Sequence, residues 1–99
     1  MKAPAHRAAP FRFRLYVAGD TPNSAQALAN LTSMCDACLP QQHEIEVIDV
    51  FEHPERALAD SIFMTPTLLK VGPPPVRKVV GTLGDESTVL AAMGLTRRG

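Results

Sequence analysis

The sequence predicts a single α/β domain built on one mixed β-sheet, and three observations favour this fold class. Its 99 residues suffice for one domain with one hydrophobic core. A segment near the N-terminus alternates apolar and polar residues, as a strand does, and a segment with helical spacing follows it. Of nine prolines in the chain, six follow this segment and divide the rest of the chain into short elements.

The first predicted elements are a strand and a helix. The strand covers Phe11 to Ala18, where apolar residues alternate with arginine. Thr21 or Asn23 can cap the following helix, and Pro22 suits its first turn. The helix should end near Pro40, because the residue before a proline disfavours helical angles. Its predicted apolar face comprises Leu28, Leu31, Cys35 and Cys38, with Ala25 and Leu39 beside them.

A second strand, His43 to Val50, completes a right-handed βαβ unit. Its residues are apolar almost throughout, which predicts a sheet covered on both faces. Pro54 then starts a short helix that extends to about Asp60.

The second half of the chain predicts a hairpin and a last helix. Thr67 to Val71 and Val76 to Val80 are β-rich runs joined by a stiff proline-rich connection. Asp85 can cap the last helix, and Gly94 is placed to end it. The apolar face of that helix comprises Val89, Leu90 and Met93. The resulting order βαβαββα, with a four-stranded mixed sheet and helices on both faces, is that of the thioredoxin-like fold.

Pro66 opens the predicted third strand, where the thioredoxin-like architecture places a cis-proline. We therefore expect the Thr65–Pro66 bond to be cis, although few X–Pro bonds are. Because such bonds isomerise slowly, we assign Pro66 a structural role in any change of fold.

Composition and charge narrow the classes of partner. Ten basic and ten acidic residues cancel, so nothing indicates a nucleic-acid or membrane partner. The apolar runs are too short to cross a bilayer. Residues 1–10 lack the apolar segment of a signal peptide and predict a disordered lead-in. Residues 11–95 then form the domain, residues 96–99 form a frayed tail, and we expect a cytoplasmic location.

The Cys35-Asp36-Ala37-Cys38 segment is the main indication of an enzyme, because C-x-x-C motifs exchange disulfides in thioredoxin-like chains. Its position argues against this, since a helix N-terminus stabilises a thiolate and these thiols lie near the helix end. They also share the predicted apolar face. Two thiols lack the four ligands of a structural zinc site, even with His43 nearby, so we expect no metal and no cofactor. A thiol-disulfide oxidoreductase remains the alternative.

Several segments, in order and at matching spacing, together resemble the KaiB family of small clock proteins. They are Leu15 to Ser24 (LYVAGDTPNS), Val47 to Val50 followed by Pro54, Thr65 to Leu68, Pro73 to Lys78, and Gly81 with Leu83. The resemblance extends over about Phe11 to Leu95. It implies a non-enzymatic regulator that binds a hexameric ATPase, KaiC, and modulates its phosphorylation and ATPase cycle. It also implies a KaiA-like protein as a further partner. KaiB-like domains also occur fused to histidine kinases as sensors, which is a second alternative.

The resemblance further implies two folds for one chain. The ground state is a tetramer with a rearranged C-terminal half, and the binding-competent state is a thioredoxin-like monomer. Ala92 and Gly94 lie in the segment that takes part in this switch, and alanine favours a helix there. We therefore predict that the thioredoxin-like state predominates. The partner-binding residues that the resemblance implies, on the first helix and second strand, are Gln26, Asn30, Glu44 and Glu46.

Overall fold

A computed structural model describes residues 11–95 and contains the predicted elements in the predicted order. They are β1 (Phe11–Val17), α1 (Pro22–Cys38), β2 (His43–Asp49), α2 (Pro54–Ala59), β3 (Thr67–Gly72), β4 (Arg77–Val80) and α3 (Glu86–Met93). The sheet order is β2-β1-β3-β4; β1 pairs with β2 in parallel, and the other two pairs are antiparallel. The thioredoxin-like fold is thereby confirmed. The predictions for residues 1–10 and 96–99 lie outside the described residues.

The helix ends follow the local signals in the sequence. Of the two candidate caps for α1, Thr21 is the one used, because its hydroxyl oxygen accepts the Ser24 N–H at 3.2 Å. Asp85 caps α3 by accepting the Thr88 N–H at 3.3 Å. Gly94 ends α3 with a φ of 73°, a left-handed conformation that glycine adopts without strain.

The sheet buries a different core on each face. Alternate β1 residues, Phe13, Leu15 and Val17, pack with α1 and α3 in the larger core. Tyr16 points to the opposite face, where a smaller core packs against α2. The other buried members of that core are Ile48, Ala57, Ile62 and Leu69.

The sheet is covered on both faces, as predicted, but the burial of two elements in the first half differs from the prediction. β2 lies at the sheet edge and is not buried throughout, because Val47 on it is 47% exposed. Leu28, predicted in the apolar face of α1, is 37% exposed, and Ala25 is also exposed. The buried face of α1 comprises Ser24, Ala27, Leu31, Met34, Cys35 and Cys38. Leu28 lies beside this face, towards the edge of the sheet that β2 forms. It borders the open space between α1 and β2 and is therefore partly exposed.

The Thr65–Pro66 bond is cis, as predicted, and two further cis bonds precede Pro73 and Pro75. The Pro66 carbonyl accepts the Gly81 N–H at 2.9 Å. This bond ties the start of β3 to the end of β4. The role of Pro66 in a change of fold stays a prediction.

Candidate functional site

The structure does not gather the four predicted partner-binding residues into one site. Gln26 and Asn30 lie on α1, which covers the face of the larger core. Glu44 and Glu46 alternate with Ile45 along β2, and Ile45 packs against that same core. Because neighbouring side chains on a strand point to opposite faces, both glutamates belong to the α2 face of the sheet.

Asn30 makes an intramolecular contact that occupies its amide group. Its Nδ2 donates to the Thr82 carbonyl at 2.7 Å, which fastens the loop before α3 onto α1. Its Oδ1 accepts from Gln26 at 3.3 Å. Asn30 therefore has a structural role in this fold, while Gln26 is exposed.

Glu46 is likewise engaged within the chain. Arg56 on α2 donates to both carboxylate oxygens of Glu46, at 2.6 and 3.0 Å, and Arg14 lies 3.6 Å away. The hydrogen bonds from Arg56 hold the pKa of Glu46 below its usual range. Glu44 is exposed and makes no ion pair with another residue in 11–95. Glu44 can therefore bind a partner without losing an ion pair within residues 11–95, whereas Glu46 would have to give up its contacts with Arg56 and Arg14.

An open groove of about 500 Å³ separates α1 from the edge strand β2. Its apolar wall includes Leu28 and Val47, and the Gly19–Asp20 turn borders one end. Sequence reasoning missed this groove because it assigned both apolar residues to covered surfaces. Their exposure follows from the position of β2 at the sheet edge.

A polar network holds α2 against the opposite face of the sheet. The buried Tyr16 hydroxyl donates to the Asp60 carboxylate, and Arg14 donates to the same carboxylate at 2.9 Å. Burial alone would raise the pKa of Asp60, but these two hydrogen bonds outweigh it and leave the pKa below its usual range. Ala57 is the one buried residue in α2. These hydrogen bonds therefore contribute much of the interaction between this short helix and the sheet.

The two cysteines are free thiols buried in the larger core. Burial, with smaller effects of Asp36 and Cys38, raises the pKa of Cys35 to about 12. The Cys38 thiol lies 3.8 Å from a Glu86 carboxylate oxygen. A thiolate is the nucleophile in disulfide exchange, so burial and the raised pKa both disfavour redox catalysis here.

Large apolar side chains are exposed where β1 and β2 end. Phe51 is 75% exposed, Phe63 84% and Met64 63%, and all three border one concavity of about 240 Å³. Sequence reasoning did not select them. The available signal was that these residues flank the short helix α2, outside the periodic segments that build the core.

The described part of the chain contains neither a metal-binding group of side chains nor a membrane-spanning helix. Within residues 11–95, no three His, Cys, Asp or Glu side chains are grouped as ligands for a metal ion. No helix in that range is long and apolar enough to cross a membrane.

Comparison with solved structures places the chain in the class of thioredoxin-like domains. Mitochondrial thioredoxin 3 from Saccharomyces cerevisiae aligns with a TM-score of 0.70 at 16% identity, over 88% of this chain and 80% of that chain. The N-terminal domain of Synechococcus elongatus SasA aligns with a TM-score of 0.64 at 24% identity, over 95% and 92%. At these identities the likeness concerns the fold alone.

Sequence comparison identifies the family. The KaiB domain profile matches residues 14–95. The circadian clock oscillator protein KaiB of Picosynechococcus sp. is 46% identical over 82 residues, which is 83% of this chain and 79% of that protein. The circadian clock protein KaiB3 of Synechocystis sp. is 38% identical over 86 residues, or 87% and 84%. The chain belongs to the KaiB family. The names of these relatives support a regulatory role of the clock type.

Proposed function

We propose that this chain is a non-enzymatic regulatory protein that binds a hexameric KaiC-like ATPase and modulates its phosphorylation and ATPase cycle. The observation that carries the proposal is 46% identity to a clock oscillator protein over 83% of the chain. Two features of the thioredoxin-like fold support the proposal. Exposed apolar residues around the small core offer surface to a protein partner, and the buried position of both thiols disfavours catalysis by them. We place this interaction in the cytoplasm, with a KaiA-like protein as a further partner.

Fold switching is part of the proposal. The proposed binding-competent state is a monomer with the thioredoxin-like fold described above, and the proposed ground state is a tetramer with a rearranged C-terminal half. Two packings of one sequence coexist only when their free energies differ by a few kcal/mol. A partner that binds one packing more tightly then shifts the population towards it.

Co-elution tests the proposal directly. The purified protein is mixed with the KaiC-type ATPase of the same organism in the presence of ATP, and light scattering gives the mass of each peak. A free monomer that shifts onto the hexamer is the expected result. A free tetramer that binds only slowly would mean that the ground state predominates. Absence of binding would remove the proposed function and leave the fold unchanged.

A disulfide-reduction assay tests the non-enzymatic part. The wild type and the Cys35→Ser/Cys38→Ser variant should both reduce a disulfide substrate no faster than the uncatalysed reaction. The buried position of both thiols is the physical reason. Activity in the wild type that the folded double variant lacks would establish the oxidoreductase instead.

A further inference from the structure

Phe51, Phe63 and Met64 form a surface that we call the apolar end patch. None of the three side chains belongs to either hydrophobic core. The three side chains together expose roughly 400 Å² of mostly apolar area. The largest apolar patch of a typical monomer is of this size and is often functional. All three surround one concavity, so they form a continuous surface rather than scattered exposed residues.

The chain segments that present this patch are held by defined contacts. The Phe51 N–H donates to Asp49 Oδ1 at 2.8 Å, which fixes the turn after β2. A side chain placed at Gly19 would lie 3.9 Å from the Phe51 ring, so this ring sits beside the turn after β1. The Met64 carbonyl accepts the Thr67 hydroxyl at 2.5 Å. A surface held in this way loses little conformational freedom when it binds.

The charges around the patch are mainly acidic. The seven residues that line its concavity are uncharged. Four acidic residues and no lysine or arginine lie within two positions of them in the chain, namely Asp20, Asp49, Glu52 and Asp60. Of the nearby cations, Lys78 donates to the Ser61 carbonyl at 2.9 Å and Arg56 is paired with Glu46. The rim should therefore attract a positively charged partner.

We propose that the apolar end patch is the docking site for a segment of the regulated ATPase that carries apolar side chains flanked by lysine or arginine. This inference rests on the proposed function and places the contact away from the α1–β2 face. The acidic rim selects against the other occupants. A second copy of the chain would bring the same acidic rim against it, and an anionic membrane would repel it.

The expected energetics follow from this arrangement. A stable protein interface usually buries about 800 Å² on each partner, so the patch forms the centre of a larger contact. Exposed aromatic residues at an interface centre are typical of the few positions that contribute most of the binding free energy. Phe51 and Phe63 should therefore dominate affinity, and the acidic rim should act mainly on association and on its salt dependence.

The test is a binding titration of the labelled, full-length protein against the hexameric KaiC-type ATPase with ATP. The Phe51→Ala/Phe63→Ala variant should weaken binding by roughly 30-fold or more. Its matched control is Val76→Ala/Val80→Ala, which also truncates two exposed apolar residues and should change affinity by less than about 2-fold. Glu52→Lys should weaken binding roughly 5-fold, whereas Asp36→Lys, at an exposed acidic residue of α1 outside the patch, should not. Circular dichroism verifies that every variant is folded.

Each other outcome overturns the proposal in a distinguishable way. Wild-type binding that the patch variants retain would reject this docking site and leave the proposed function intact. A wild type that does not bind the ATPase would reject both. Self-association lost in the Phe51→Ala/Phe63→Ala variant would identify a second copy as the occupant. Patch-dependent sedimentation with phosphatidylcholine–phosphatidylserine vesicles would identify a membrane.

Discussion

Replacing Tyr16 by phenylalanine should lower the unfolding free energy by about 2 kcal/mol, although the ring keeps its packing. The Tyr16 side chain is fully buried, and its hydroxyl donates to the Asp60 carboxylate. A hydrogen bond to a charged group typically contributes about 1.5–3 kcal/mol, more than a bond between neutral groups. The Asp60 side chain is only 19% exposed, so water replaces just part of the lost bond.

Thermal and chemical denaturation measure this loss. For a domain of this size, about 2 kcal/mol corresponds to a decrease in Tm of roughly 8–16 °C. The control is Glu44→Gln, an exposed carboxylate whose change should stay within about 0.5 kcal/mol. Combining Tyr16→Phe with Asp60→Asn in a double-mutant cycle should give a coupling of about 1 kcal/mol or more. A coupling below about 0.5 kcal/mol would refute the assigned role of this hydrogen bond.

The pH dependence of stability gives an independent measurement of the same network. The pKa of Asp60 is lowered on folding, so its contribution is complete above about pH 4 and is lost as the pH falls through the folded pKa. Burial and the hydrogen bond to Asp60 raise the pKa of Tyr16 to about 12. Its contribution is therefore complete below about pH 10 and is lost as the pH rises through the folded value. Asp60→Asn should reduce the acid dependence and Tyr16→Phe the alkaline dependence; wild-type profiles in both would contradict this account.

Three further predictions concern single residues. Asn30→Ala should lower the unfolding free energy by about 1 kcal/mol, because the Thr82 carbonyl loses its donor. The control Gln26→Ala, at an exposed residue, should change the unfolding free energy little. Equal effects of the two variants in denaturation would contradict this assignment. Lys70 is 4% exposed, and its ammonium group makes no ion pair or hydrogen bond with another residue in 11–95, so Lys70→Met should raise the unfolding free energy by about 1 kcal/mol. A lower Tm for that variant would show that the ammonium group is satisfied. Cys35 should react with a thiol reagent roughly 100-fold more slowly in the folded than in the unfolded protein, by mass spectrometry; equal rates would mean that α1 opens readily.

Short-range patterns made most of the fold predictable from the sequence. The alternation in β1, the Thr21 and Asp85 caps and the Gly94 stop each depend on residues within a few positions of one another. The order βαβαββα follows from such signals and limits the domain to a few topologies. The buried thiols were also predictable, because their helical spacing aligns them with Leu31.

The candidate site was less predictable, because its contacts join residues that are distant in the chain. The bond from Asn30 to Thr82 spans 52 positions, and the pair of Glu46 with Arg56 depends on how α2 packs against the sheet. No local pattern encodes either contact. Sequence reasoning therefore assigned Asn30 and Glu46 to a partner, whereas the fold engages both side chains internally.

The sequence by itself determined the elements, their order, the Asp85 cap of the last helix and the family of this chain, and it limited the cap of the first helix to Thr21 or Asn23. Only the tertiary structure decided that β2 lies at the sheet edge, that Val47 and Leu28 are exposed there, and that Phe51, Phe63 and Met64 meet in one patch. The physical reason is that elements arise from the local periodicity of apolar residues. Exposure depends instead on which strands and helices pack against one another, and that choice is made by the whole chain.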